Sequence, residues 1–60
     1  MKFIEIQERG RDTVTVNAAH IVQLYIVTIK DETFTRICLT GGSYIDSPLT
    51  ITQIMHRINN

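Results

Sequence analysis

The sequence predicts a small α+β fold: an antiparallel β-meander of about five strands with one C-terminal helix packed on one face. Three observations predict it. Short stretches alternate apolar and polar residues, the period-two pattern of half-buried strands. Turn-forming residues separate them at Arg9-Gly10-Arg11-Asp12, Asn17-Ala18-Ala19-His20, Lys30-Asp31-Glu32-Thr33 and Gly41-Gly42. Past Ser47-Pro48 the period changes, with Ile51, Ile54, Met55 and Ile58 recurring at i, i+3, i+4 and i+7. That spacing makes an apolar stripe on a helix.

In the first strand, Phe3-Ile4-Glu5-Ile6-Gln7-Glu8, Ile4 and Ile6 share one side and Phe3, Glu5 and Gln7 the other. After the Arg9–Asp12 turn, where Gly10 is free to take positive φ, Thr13-Val14-Thr15-Val16 alternates again and closes a hairpin. The Asn17–His20 segment predicts a tight corner or a single helical turn. Beyond the Lys30–Thr33 turn comes a fourth strand, Phe34–Thr40, with Ile37 and Leu39 on opposite parity to Phe34, Arg36 and Cys38. Gly41-Gly42 predicts a two-residue hairpin into a short strand, Ser43–Asp46. Either Ser47 caps the helix with Pro48 at its first position, or Thr50 does so with Gln53 three residues on.

The stretch from Ile21 to Ile29 organises the chain. All of it except Gln23 and Thr28 is apolar or aromatic, and most of it is β-branched, so it reads as a strand with two apolar faces. Strict alternation puts Val22, Leu24 and Ile26 on one face and Ile21, Tyr25, Val27 and Ile29 on the other. One helix covers one face. The second calls for another chain or a ligand, so a homo-oligomer is expected, with Phe3, Tyr25, Val27, Ile29, Phe34 and Cys38 at its interface.

Sixty residues make a single domain near the lower size limit for folding without metals, disulfides or partners. Six Lys and Arg balance six Asp and Glu. A zero net charge argues against a nucleic-acid binder. The lone Cys38 cannot staple the chain, which implies a reducing, cytoplasmic setting. Met1-Lys2-Phe3-Ile4-Glu5 is charged early and lacks a long apolar run, so neither a signal peptide nor a membrane span is expected.

No catalytic constellation stands out, and an enzyme is not expected. His20 and His56 lack a second ligand at metal-binding spacing, so neither a metal nor a cofactor is expected. Cys38 lies mid-strand among apolar neighbours, the setting of a small hydrophobe rather than a nucleophile. Gly41-Gly42-Ser43 precedes a strand, whereas phosphate-binding glycines precede a helix. The candidate contacts are instead Arg9 and Arg11 in the first loop, able to meet an anionic ligand or acidic partner, and Arg36 beside Tyr25 on the uncovered face.

The segments Val16-Asn17-Ala18-Ala19-His20-Ile21, Ile37 to Ile45 with its Gly41-Gly42 turn, Ser47, and the Ile54-Met55-His56-Arg57-Ile58 tail span most of the chain. Together the pattern resembles the small flagellar FlbD/SwrD-like proteins. The resemblance implies a similar fold and a non-enzymatic role, and it carries no catalytic residues across. The first turn departs from that family, with Arg9-Gly10-Arg11-Asp12 in place of an Asn-Gly pair. The leading expectation is a small interaction module, acting as a homo-oligomer that binds another protein. The alternative is a phage or mobile-element anti-defence protein sequestering a nucleotide-like small molecule at a subunit junction, through Arg9, Arg11, Arg36 and Tyr25.

Overall fold

A computed structural model describes residues 2–60. The chain runs β1 (Phe3–Gln7), β2 (Thr13–Asn17), a 3-10 turn (Ala18–His20), β3 (Ile21–Ile29), β4 (Glu32–Leu39), β5 (Tyr44–Ser47) and α1 (Ile51–Asn59). This is a small α+β fold with five antiparallel strands and a C-terminal helix. The strands do not form one continuous meander: β1 and β2 make one sheet, and β3, β4 and β5 make another in that order. The break falls at the corner anticipated at Asn17, whose side chain accepts the Ala19 N–H at 3.0 Å and starts the 3-10 turn. β2 and β3 therefore enter different sheets instead of pairing.

The two sheets and the helix share one core. Ile4 and Ile6 of β1, Val16 of β2, Ile37 of β4 and Ile54 of α1 are buried together, with Val14, Leu39, Ile45, Leu49 and Ile58 packed around them. These are the inward positions that alternation assigns to β1, β2 and β4. The helix rests against β1 and β3, and the Lys2 ammonium donates to the Ile58 carbonyl at 2.9 Å, where a cation suits the helix C-terminus. Met55, expected in the apolar stripe, is exposed, because the stripe meets the core through Ile54 and Ile58.

Strand β3 departs from simple alternation. Ile21 pairs with Leu39 but Gln23 pairs with Cys38, so Val22 is an extra residue, a β-bulge. The bulge resets the parity of the first residue. Ile21, expected on the outer face, packs on the core beside Leu24, and Val22, expected inside, is 66% exposed. Ile26 does point to the core side, opposite Thr35, yet it lies beyond the reach of the helix and stays exposed.

Two turns differ from expectation. Lys30 and Asp31 alone join β3 to β4, both at positive φ (49° and 67°), as a two-residue hairpin turn of the type I′ kind requires. Glu32 and Thr33, expected in the turn, belong to β4. The Gly41-Gly42 loop is longer than two residues. Leu39 N–H donates to the Ser43 carbonyl at 2.8 Å and Cys38 pairs with Tyr44, which leaves Thr40, Gly41 and Gly42 in the loop. A one-residue change of register reverses every side chain of the strand. In the observed register Ile45 and Ser47 face inward while Tyr44 and Asp46 face outward, opposite Cys38 and Arg36.

Ser47 ends β5 rather than capping the helix. Its buried hydroxyl accepts the Leu49 N–H, and Thr35 Oγ1 donates to the Leu49 carbonyl at 2.8 Å, so the linker is pinned to the sheet. The cap is Thr50, in a reciprocal box with Gln53: Gln53 N–H donates to Thr50 Oγ1 at 3.1 Å and Thr50 N–H to Gln53 Oε1 at 2.8 Å.

Removing the centre of the helix contact is therefore expected to be costly. Ile54→Ala should lower unfolding free energy by about 2–5 kcal/mol in urea titration, and Thr50→Ala by about 1 kcal/mol. The Lys30-Asp31 turn offers the opposite sign. Replacing it with Asn-Gly, which tolerates positive φ, should stabilise the chain by on the order of 1 kcal/mol, read from the same titration.

Candidate functional site

The outer face of the three-stranded sheet, turned away from the core, gathers most of the candidate residues. In the β3–β4 register Tyr25 faces Arg36, Val27 faces Phe34, Gln23 faces Cys38 and Ile29 faces Glu32. Six of the sequence-derived candidates thus lie on one surface: Tyr25, Val27, Ile29, Phe34, Arg36 and Cys38. Phe3 does not join them. It is 59% exposed, but on the outer side of β1 in the other sheet.

Part of this face is covered by the chain itself. The β1–β2 loop folds beside β5, where Arg9 N–H donates to the Asp46 carbonyl at 2.7 Å. That bond adds a rung to the edge of the sheet and aims the Arg9 side chain across the outer face. Its guanidinium forks onto Glu32, Nε to Oε2 at 2.7 Å and Nη2 to Oε1 at 2.6 Å. It also stacks over Phe34, with Cζ 4.5 Å from the ring centroid. Phe34 is consequently 3% exposed. A ring expected at the oligomer interface is already buried within the single chain.

Arg36 repeats the arrangement one rung along. It forks onto Asp46, Nε to Oδ1 at 2.8 Å and Nη2 to Oδ2 at 3.0 Å, and lies 4.2 Å over the Tyr44 ring. Bidentate arginine–carboxylate pairs have the strongest geometry available to such charges, and the planar guanidinium also favours aromatic faces. The hydrogen bonds from Arg9 hold the Glu32 carboxyl below its ordinary range, against a smaller opposing effect of burial. The hydrogen bond to Asp46 raises Arg36 above its ordinary value. Both guanidinium forks are filled by carboxylates. Arg11 stays in the exposed loop and joins neither pair.

Three participants, Glu32, Tyr44 and Asp46, are missing from the candidates that the sequence suggests. Tyr44 and Asp46 follow from the hairpin register: once Leu39 is set opposite Ser43, Arg36 must face Asp46 and Cys38 must face Tyr44. Glu32 meets Arg9 from a loop far away in the chain, and no local spacing signals that contact.

The remaining polar groups are dispersed. His20 Nδ1 lies 3.4 Å from Thr40 Oγ1, and His56 lies beside Asn60 on the helix. Cys38 is half-buried between Gln23 and Tyr44. Among the described residues no group of three or more His, Cys, Asp or Glu is placed to hold a metal ion, and no helix is long and apolar enough to cross a membrane.

What stays uncovered on this side is apolar and aromatic. Tyr25 is 39% exposed, Ile29 is 48% and Tyr44 is 55%. Tyr25 and Ile29 lie on β3, with the bulge residue Val22 at its start, and Tyr44 lies on β5.

Arg9 acts here both as an ion-pair partner and as a lid over Phe34, and two measurements separate the roles. A carboxyl held below its unfolded-state pKa adds stability above that unfolded value and loses it as pH falls through the folded value. The melting temperature should therefore fall as Glu32 is protonated, less steeply in Arg9→Ala than in the wild type. In about 1 M salt the exposed Arg9–Glu32 pair is screened. Arg9→Ala should still melt lower than the wild type there, since Phe34 remains uncovered.

No family model, no curated protein and no solved structure matches this chain, so its function has to be read from this surface.

Proposed function

We propose that this chain is a small non-enzymatic interaction module, working in the cytoplasm as a homo-oligomer that binds another protein. The observation that carries the proposal is the apolar and aromatic surface left on the outer face, made by Tyr25 and Ile29 of β3 and Tyr44 of β5 beside the bulge residue Val22, with Ile26 exposed on the opposite side of the same strand. Contiguous apolar surface of this kind marks association sites on small soluble proteins, and tyrosine and arginine are the residue types that dominate interface energetics. A domain of this size also gains more from association than a larger one, because so little of its own surface is buried on folding.

The paired arginines favour a protein partner over a nucleotide-like ligand. A phosphate approaching Arg9 or Arg36 would have to displace Glu32 or Asp46 from a bidentate contact. The sequence resemblance to the small flagellar FlbD/SwrD-like proteins implies a non-enzymatic role.

Light scattering over the micromolar range should give a mass of more than one chain, and the melting temperature should rise with protein concentration, as mass action requires of an oligomer. Single-chain mass at every concentration, with concentration-independent melting, would overturn the proposal. Ile29→Lys, at an exposed position that the monomer tolerates, should weaken any assembly that packs outer face on outer face.

A further inference from the structure

The long edge of β3 carries an inference that deepens the oligomer reading and rests on it. β3 is the terminal strand of its sheet, bonded to β4 on one side and to no strand on the other. The direction of its backbone groups follows from the register. Leu39 N–H donates to Ser43, so Leu39, and with it Ile37 and Thr35, bonds toward β5. Phe34, Arg36 and Cys38 then bond toward β3, where they meet Val27, Tyr25 and Gln23. By the same alternation Leu24, Ile26 and Thr28 turn their N–H and C=O groups away from the sheet. Among the described residues no hydrogen bond reaches them.

Free edges in natural sheets are blunted by charge, proline or a covering element. This one has no charged residue and no proline between Ile21 and Ile29. The bulge at Val22 limits only its first residues. The three outward residues are evenly spaced about Ile26, so the edge is complementary to itself.

We propose that two copies pair through this edge, β3 against β3 antiparallel, about a two-fold axis at Ile26. In that arrangement Ile26 faces Ile26 of the second copy and Leu24 faces Thr28, which satisfies all the outward donors and acceptors of this stretch. Tyr25 meets Val27 on the outer face, and Gln23 meets Ile29. Lys30 falls opposite Val22, so no like charges are juxtaposed. The two three-stranded sheets become one continuous six-stranded sheet, the isologous contact that two-fold symmetry requires.

The area suits a reversible dimer. Nine strand residues at about 3.3 Å each, on a sheet about 10 Å deep, present a strip of roughly 300 Å² in projection on each copy. The corrugated accessible surface of that strip, with exposed Val22, Ile26 and Met55 beside it, brings the total to on the order of 1,000 Å², the lower bound of specific interfaces. Dissociation in the micromolar range is expected.

The test uses substitutions at Ile26, whose N–H is free and whose side chain is 52% exposed. Ile26→Pro removes an outward donor without removing a β3–β4 hydrogen bond, the one strand setting that tolerates proline. It should keep the wild-type circular dichroism and scatter as a single chain where the wild type scatters as two. Ile26→Lys should also be monomeric, because two ammonium groups would meet at the axis, and so should Ile26→Glu; mixing the two should restore a two-chain species. Two-chain mass in folded Ile26→Pro or in Ile26→Lys alone, or no recovery on mixing, would overturn the edge pairing. If the wild type is an oligomer that Ile29→Lys dissociates and the Ile26 variants do not, the oligomer reading stands and the edge falls. A monomeric wild type would remove both.

Discussion

The three-stranded sheet carries apolar residues on both faces, and a chain of this length has too few elements to cover both. That constraint explains most of the architecture. The β1–β2 sheet and α1 are committed to one side, where Ile37, Ile54 and Ile6 are fully buried. For the other side a single loop remains. It contributes one long side chain, Arg9, which lies flat over Phe34 and is held there by Glu32. A guanidinium suits this position because its planar face rests on an aromatic ring while its edge stays hydrogen-bonded to a carboxylate. A leucine would cover the ring equally well but would enlarge the exposed apolar surface.

The covering stops halfway across the sheet. Phe34 and the Arg36–Tyr44 stack lie on the β4 and β5 side, under or beside the loop, while β3 lies beyond its reach. Val22, Tyr25, Ile26 and Ile29 are therefore all exposed along one strand, while Phe3, Tyr44 and Met55 are exposed on other elements. Side chains and backbone are left open in the same place. Dispersed apolar residues are ordinary on protein surfaces; their coincidence with an unpaired, uncharged strand edge is what distinguishes β3.

Much of the fold is legible in the sequence, because it follows from local pattern. The bounds of β3, the inward residues of β1, β2 and β4, the Asn17 corner and the Thr50–Gln53 cap all depend on neighbours within a few positions. What is not legible depends on one-residue choices or on distant contacts. Whether Gly41-Gly42 turns in two residues or with Thr40 in three decides which face Asp46 occupies, and both loops tolerate the same glycines. The bulge at Val22 has no compositional mark, since every residue near it favours a strand. The division of five strands into two sheets depends on how sharply Ala18–His20 turns. At the candidate site, alternation alone brings Tyr25, Val27, Ile29 and Arg36 together. The burial of Phe34 does not follow, because its cover comes from a loop separated from it by two strands and a corner.

Every strand pair in the molecule joins neighbours in the chain: β1 with β2, β3 with β4, β4 with β5. Each hairpin can close over a short loop before anything else has formed, at little cost in chain entropy. Pairings of this local kind close faster than pairings between distant strands. Other closures span the chain, among them the seat of α1 on β1 and β3, the Lys2 bond to Ile58, and the Arg9 contacts with Glu32, Phe34 and Asp46. Without those closures the β3–β4–β5 unit would have both of its apolar faces in water. The Arg9 latch therefore ties a distant loop to the outer face that the local hairpins alone would leave open.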